Sequence, residues 1–66
     1  MQSKRMRVLL LAEASAKTLL DIWEWEDDTA KELILEYLKD VWKYYKEDLK
    51  KSEYFKELVK RGVLPP

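Results

Sequence analysis

The side chains that could do chemistry in this 66-residue sequence are carboxylates, lysines, arginines and a few hydroxyls, because it contains neither histidine nor cysteine. There is therefore no imidazole to act as an acid or base near neutral pH, no thiolate nucleophile, and no His or Cys ligand for zinc or haem. The one glycine, Gly62, cannot form a glycine-rich phosphate loop. These residue types predict a protein that is not an enzyme and that binds no cofactor.

The densest group of chemically active side chains is acidic, with four carboxylates within residues 24–28. Oxygen ligands of this kind can hold a hard divalent cation. The alternative is structural, because acids placed just before a helix cap its first turn and complement its positive end. No Glu-x-x-His pair of a di-iron bundle site is present. We expect these acids to cap a helix, and we assign no metal site.

Charge is balanced overall but unevenly distributed along the chain. The formal net charge is zero, which argues against binding nucleic acid by bulk electrostatic attraction. Residues 1–12 carry +3, residues 13–38 carry two lysines against eight acids, and residues 39–66 carry +3. The basic strip at residues 4–7 is the candidate for a local nucleic-acid contact.

Hydrophobic periodicity predicts three helices, at about residues 6–26, 29–50 and 53–61. The second helix has the clearest pattern, since Thr29 and Glu32 have the spacing of a capping box. Its apolar positions occupy an arc of about 200°, with lysines and acids on the remaining surface. We therefore expect one domain over the whole chain, an all-α three-helix bundle with two long helices and one short C-terminal helix.

The third helix is short and has clear end signals. Ser52 is a suitable N-cap, Gly62 fits the left-handed position after a helix, and Pro65 and Pro66 prevent continuation. The apolar stripes of the three helices together predict a core. That core comprises Leu9, Ala12, Ala16, Leu19, Leu20, Trp23, Leu33, Ile34, Tyr37, Leu38, Val41, Phe55, Leu58 and Val59.

The apolar arc of the second helix is wider than one neighbouring helix can cover, since a single contact needs about 100°. The third helix is less than half as long and cannot cover the remainder alone. Either the C-terminal tail wraps this face, or a second protein covers it, most simply a second copy in a dimer. We expect the second protein, because polar-tipped aromatics are typical of interface cores. The predicted contacts are Leu35, Trp42, Tyr44, Tyr45 and Leu49.

Residues 4–10 permit a second interpretation, because they also alternate as a strand does. Arg5 and Arg7 would then project together from one face of the strand. Residues 13–26 are predicted to be helical in both interpretations. The alternative fold is thus an N-terminal strand followed by helices.

With a strand in this place, residues 4–42 resemble the ribbon-helix-helix family of DNA-binding proteins. That family has a strand, a turn, a first helix, a Ser or Thr cap, and a second helix of the type Glu-Leu-Ile-x-x-x-Leu. Here Thr29 stands at the cap, and Glu32, Leu33 and Ile34 are followed by Leu38.

The resemblance implies a dimer that pairs its strands and inserts the two-stranded ribbon into the major groove. Arg5 and Arg7 would be the base-reading residues, and Thr29 with the start of the second helix would contact phosphate. Nucleic acid is a partner in this interpretation alone.

The longest apolar run, residues 8–12, is far shorter than the roughly 20 residues that a membrane span requires. No signal peptide is recognisable, because no small-residue cleavage site follows that run. We expect a soluble protein without a membrane partner, intracellular if it is natural. The composition is typical both of designed helical proteins and of thermophilic ones.

Overall fold

The computed structural model describes residues 3–66 and contains three α-helices. These are α1 (Lys4–Asp21), α2 (Asp28–Leu49) and α3 (Glu53–Lys60). The predicted all-α bundle with two long helices and one short C-terminal helix is confirmed. No strand occurs within residues 3–66, and the alternative of a strand at residues 4–11 is wrong.

Helix α1 begins earlier than predicted because Ser3 caps it. The Ser3 side chain accepts a hydrogen bond from the backbone N–H of Met6 at 3.1 Å, which satisfies one of the unpaired donors of the first turn. Leu and Ala dominate the residues that follow, and both favour helix strongly. The basic strip is therefore the first turn of α1.

Helix α1 ends at Asp21, five residues before the predicted end at residue 26. Carboxylates at Glu24 and Glu26 would lie in the last turn of a longer helix, where the negative end of the helix dipole opposes them. The chain instead makes a turn over residues 22–27, and Trp25 donates its backbone N–H to the carbonyl of Ile22 at 2.9 Å. This turn lets α2 run back beside α1.

The N-cap of α2 is Asp27, and the predicted capping box of Thr29 and Glu32 is wrong. The Asp27 carboxylate accepts hydrogen bonds from the backbone N–H groups of Thr29 at 3.0 Å and Ala30 at 3.3 Å. Aspartate is a strong N-cap residue because its oxygen and its charge both suit the positive end of the helix.

The core forms where α1 packs against both α2 and α3. Ala12 and Ala16 are fully buried, and their small side chains permit close approach of the neighbouring helices. Seven of the predicted core residues are confirmed as buried. The core cluster comprises Ala12, Ala16, Leu19, Leu38, Val41, Trp42, Leu49, Phe55, Leu58 and Leu64.

Two predicted core residues are exposed. Trp23 follows the end of α1 and lies in the turn, where it is 36% exposed, and Leu33 points away from the core and is 65% exposed. Five others are half-buried and pack against the core from its edge. These are Leu9, Leu20, Ile34, Tyr37 and Val59.

The end of α3 folds the last residues back onto the bundle. Gly62 has φ +78°, as predicted for the position after the helix. The N–H of Gly62 donates to the Val59 carbonyl at 3.0 Å and the N–H of Val63 donates to Leu58 at 2.9 Å, which is the Schellman pattern. Leu64 is buried as a result. Within residues 3–66 no helix is long and apolar enough to cross a membrane.

Candidate interaction surface

Two of the five predicted partner contacts, Trp42 and Leu49, lie in the core of the chain itself. Trp42 is 5% exposed and Leu49 is 2% exposed. The Trp42 ring stacks on Phe55 with centroids 5.5 Å apart, and its Nε1–H donates to the Pro65 carbonyl at 2.7 Å. The prediction that these two side chains contact a partner is corrected, because Phe55 and Pro65 contact Trp42 and Leu49 belongs to the buried core cluster.

The other three predicted contacts differ in exposure. Tyr44 is 74% exposed, whereas Leu35 and Tyr45 are half-buried against the core cluster. Tyr45 also interrupts the regular helix, with φ −124° and ψ 23°. Because a helical wheel assumes a constant rotation per residue, it loses accuracy for positions beyond this break.

The apolar surface that stays uncovered lies between α1 and α2. Leu11 is 57% exposed and Leu33 is 65% exposed, and both line a shallow groove with Ser15 and Tyr37. Leu33, Tyr37 and Tyr44 share one side of α2 through their helical spacing. We call this surface the open face, and it comprises Val8, Leu11, Leu33, Ile34, Tyr37 and Tyr44.

The open face lies on the opposite side of α1 from α3. Met6 and Leu10 of α1 line a separate groove with the end of α2 and with Lys51 and Ser52, which connect α2 to α3. At this end of the bundle the guanidinium of Arg5 pairs with the carboxylate of Asp48. Helix α3 therefore covers one side of the α1–α2 pair and leaves the other without a neighbour.

The polar groups of the open face are phenols and flanking cations. Burial and the neighbouring Tyr45 raise the pKa of the Tyr37 phenol above its ordinary value, which favours its neutral form. Lys43 Nζ lies 5.7 Å from the centroid of the Tyr44 ring. Lys4 and Arg7 line a depression that also includes Val8 and Leu11. An apolar centre with charged edges is the usual composition of a protein interface.

The three residues assigned to nucleic-acid contact are not brought together. Arg5 is paired with Asp48, and Arg7 is exposed in the early part of α1. Thr29 lies at the start of α2, which is the opposite end of the α1–α2 pair, and its backbone N–H is bound by Asp27. A single phosphate or base could not contact all three.

The acidic segment of residues 24–28 serves α2 locally. Asp27 caps the helix, and Asp28 pairs with Lys31 at 3.5 Å. Lys31 also donates to the backbone carbonyl of Trp23 at 3.2 Å, which ties the turn to α2. Within the described part of the chain no three carboxylates come close enough together to hold a metal ion.

Comparison of the chain with family models, with curated proteins and with solved structures gave no match. The open face is therefore interpreted from its own residues.

Proposed function

We propose that this chain is a non-catalytic protein-interaction module that forms a homodimer through the open face. One observation carries the proposal: Leu11, Leu33 and Tyr44 are each more than half exposed on the same side of the molecule. Monomeric proteins rarely leave apolar side chains grouped in this way, and grouped exposure is typical of association sites. Tyrosine suits such a surface, since its ring can be buried while its hydroxyl stays hydrated.

The size of the chain supports association. A domain of about 60 residues buries only about 60% of the surface of its unfolded chain, and its stability is correspondingly small. Covering Leu11 and Leu33 would remove from water two leucines that are each more than half exposed on each protomer. At about 25 cal/mol per Å² of apolar area, such burial is a substantial addition for a small domain.

The first experiment replaces Leu33 with Asp and measures molar mass by sedimentation velocity across a wide concentration range. Leu33→Asp puts a charge at the centre of the open face, and we expect it to weaken dimerisation at least about 100-fold because the carboxylate cannot be buried unpaired. Leu33 is 65% exposed, so we expect the helical content by circular dichroism to stay unchanged.

Leu10→Asp is the matched control, because Leu10 is 51% exposed on the other side of α1. It introduces the same charge on the same apolar residue type outside the open face, and we expect it to dimerise normally. A wild-type protein that stays at 8.0 kDa at millimolar concentration would contradict the proposal. Equal loss of dimer in both variants would place the interface elsewhere.

A further inference from the structure

The two ends of the α1–α2 pair carry opposite charge. Residues 13–38 hold two lysines and eight acids, a net charge of −6. Residues 4–12 and 39–51 together hold eight basic residues and three acids, a net charge of +5. Helix α3 is balanced, with two acids and two lysines. The charge difference therefore belongs to the helices that form the open face.

The fold converts this sequence pattern into a difference between the two ends of the molecule. Residues 13–38 span the second half of α1, the turn and the first half of α2, so they lie together at the turn end. The start of α1 meets the end of α2 at the other end, where Arg5 pairs with Asp48. Arg61 lies over the Trp23 ring at the turn end and leaves that end net acidic.

The apolar centre of the open face lies between these charged ends. Leu11 and Tyr37 are near the midpoints of α1 and α2 and line the same groove. Lys4 and Arg7 flank the face toward the basic end. Glu32 and Glu36 are exposed in the first half of α2, on the acidic side of the same midpoint.

A homodimer that buries this face has a two-fold axis lying in the interface. If that axis runs along the helices, acidic end meets acidic end and basic end meets basic end. If it runs across the helices, each acidic end meets the basic end of the second copy. Opposite charges across an interface attract and steer association, whereas like charges placed together cost several kcal/mol.

We propose that the second copy docks on the open face with its helices reversed end for end, so that the acidic turn end of each protomer lies on the basic end of its partner. This arrangement rests on the proposed homodimer and adds its orientation. The product is a bundle of four helices from two α1–α2 pairs, with α3 of each protomer on the outside.

The sign of the salt dependence distinguishes the two orientations. The Debye length falls from about 30 Å at 0.01 M salt to about 10 Å at 0.1 M. With acidic ends on basic ends, added salt screens an attraction and the dimer Kd rises. With like ends together, added salt screens a repulsion and the Kd falls. We expect the Kd to rise about tenfold over this range.

Substitutions at the two ends test the same arrangement. Lys4→Glu with Arg7→Glu lowers the net charge of the basic end from +5 to +1, and Glu32→Lys with Glu36→Lys reduces the net charge of the acidic end from −6 to −2. We expect each pair of substitutions alone to weaken the dimer by about tenfold at low salt, because each reduces the attraction between opposite ends. All four together should remove most of the salt dependence of the Kd. Lys56→Glu on α3 is the control for a change in net charge away from the face, and we expect it to change the Kd by less than about twofold.

The outcomes separate this inference from the proposed function. Suppose that Leu33→Asp disrupts the dimer, but the dimer Kd falls with added salt or does not change with the charge substitutions. This result would overturn the reversed orientation but not the proposed homodimer. A wild-type chain that never dimerises would overturn both. A dimer that either pair of substitutions strengthens at low salt would also overturn the orientation, because a smaller charge at one end relieves the repulsion only where like ends meet.

Discussion

Trp42 shows how one side chain can look like an interface contact and belong to the core. Its ring stacks on Phe55, and its indole N–H finds an acceptor in the Pro65 carbonyl. A buried tryptophan usually needs such a partner for its N–H. Ser52 differs from Trp42 in this respect. It lies at the predicted N-cap of α3, but its buried Oγ has no hydrogen-bond partner among residues 3–66.

Replacing Trp42 should therefore reduce stability. We expect Trp42→Phe, which keeps the stacked ring but loses the hydrogen bond, to lower the free energy of unfolding by about 1–2 kcal/mol. Trp42→Ala should cost about 3–5 kcal/mol through the cavity it leaves. Urea unfolding followed by circular dichroism measures both.

Trp25→Phe is the matched control, because Trp25 is 57% exposed in the turn. Substitutions at such positions usually change stability by less than about 0.5 kcal/mol. Equal stability of Trp42→Phe and Trp25→Phe would show that the hydrogen bond from Trp42 to the Pro65 carbonyl contributes nothing to stability.

At the scale of the elements, the ends of the helices determine how the bundle closes. Asp27 is the last residue of the six-residue turn and caps α2, and Gly62 redirects the chain after α3. The left-handed backbone at Gly62 suits glycine, which has no Cβ to strain there. Nothing lies within 4 Å of an added Cβ at this position, so the backbone conformation alone accounts for the glycine.

The N-cap of α2 can be tested by two alanine substitutions. Asp27→Ala removes the acceptor for the N–H groups of Thr29 and Ala30, and we expect a loss of about 1 kcal/mol in the free energy of unfolding. Thr29→Ala changes an exposed helical residue whose side chain is not the cap, and we expect a smaller loss. A larger loss of unfolding free energy for Thr29→Ala than for Asp27→Ala would support the capping box that the sequence predicts.

At the scale of the whole molecule, α1 packs against both other helices, and one side of the α1–α2 pair has no neighbour. The molecule is elongated, 38 × 24 × 17 Å, and the open face runs along its length. A long, partly apolar side is suited to association with a second elongated body.

A homodimer makes thermal stability depend on protein concentration, because association stabilises the folded state by mass action. We expect the Tm of the wild type to rise by several degrees over a hundredfold increase in concentration, measured by circular dichroism. Leu33→Asp should show a constant Tm over the same range. A constant Tm in the wild type would argue against coupled folding and association.

The sequence by itself determined the number of helices, their approximate bounds, the end of α3 and about half of the buried core. These features depend on local periodicity and on residues such as Gly62, whose effect acts within one turn. The same local pattern placed Ala12, Ala16 and Leu38 in the core, where the structure has them.

Only the tertiary structure decided which part of the wide apolar arc of α2 is covered. The contacts that bury Trp42 come from Phe55 and Pro65, 13 and 23 residues further along the chain. Periodicity shows that a face is apolar, but it carries no information about which distant segment packs there. For that reason the structure places Trp42 and Leu49 in the core, whereas Leu33, Tyr44 and Leu11 form the exposed apolar surface.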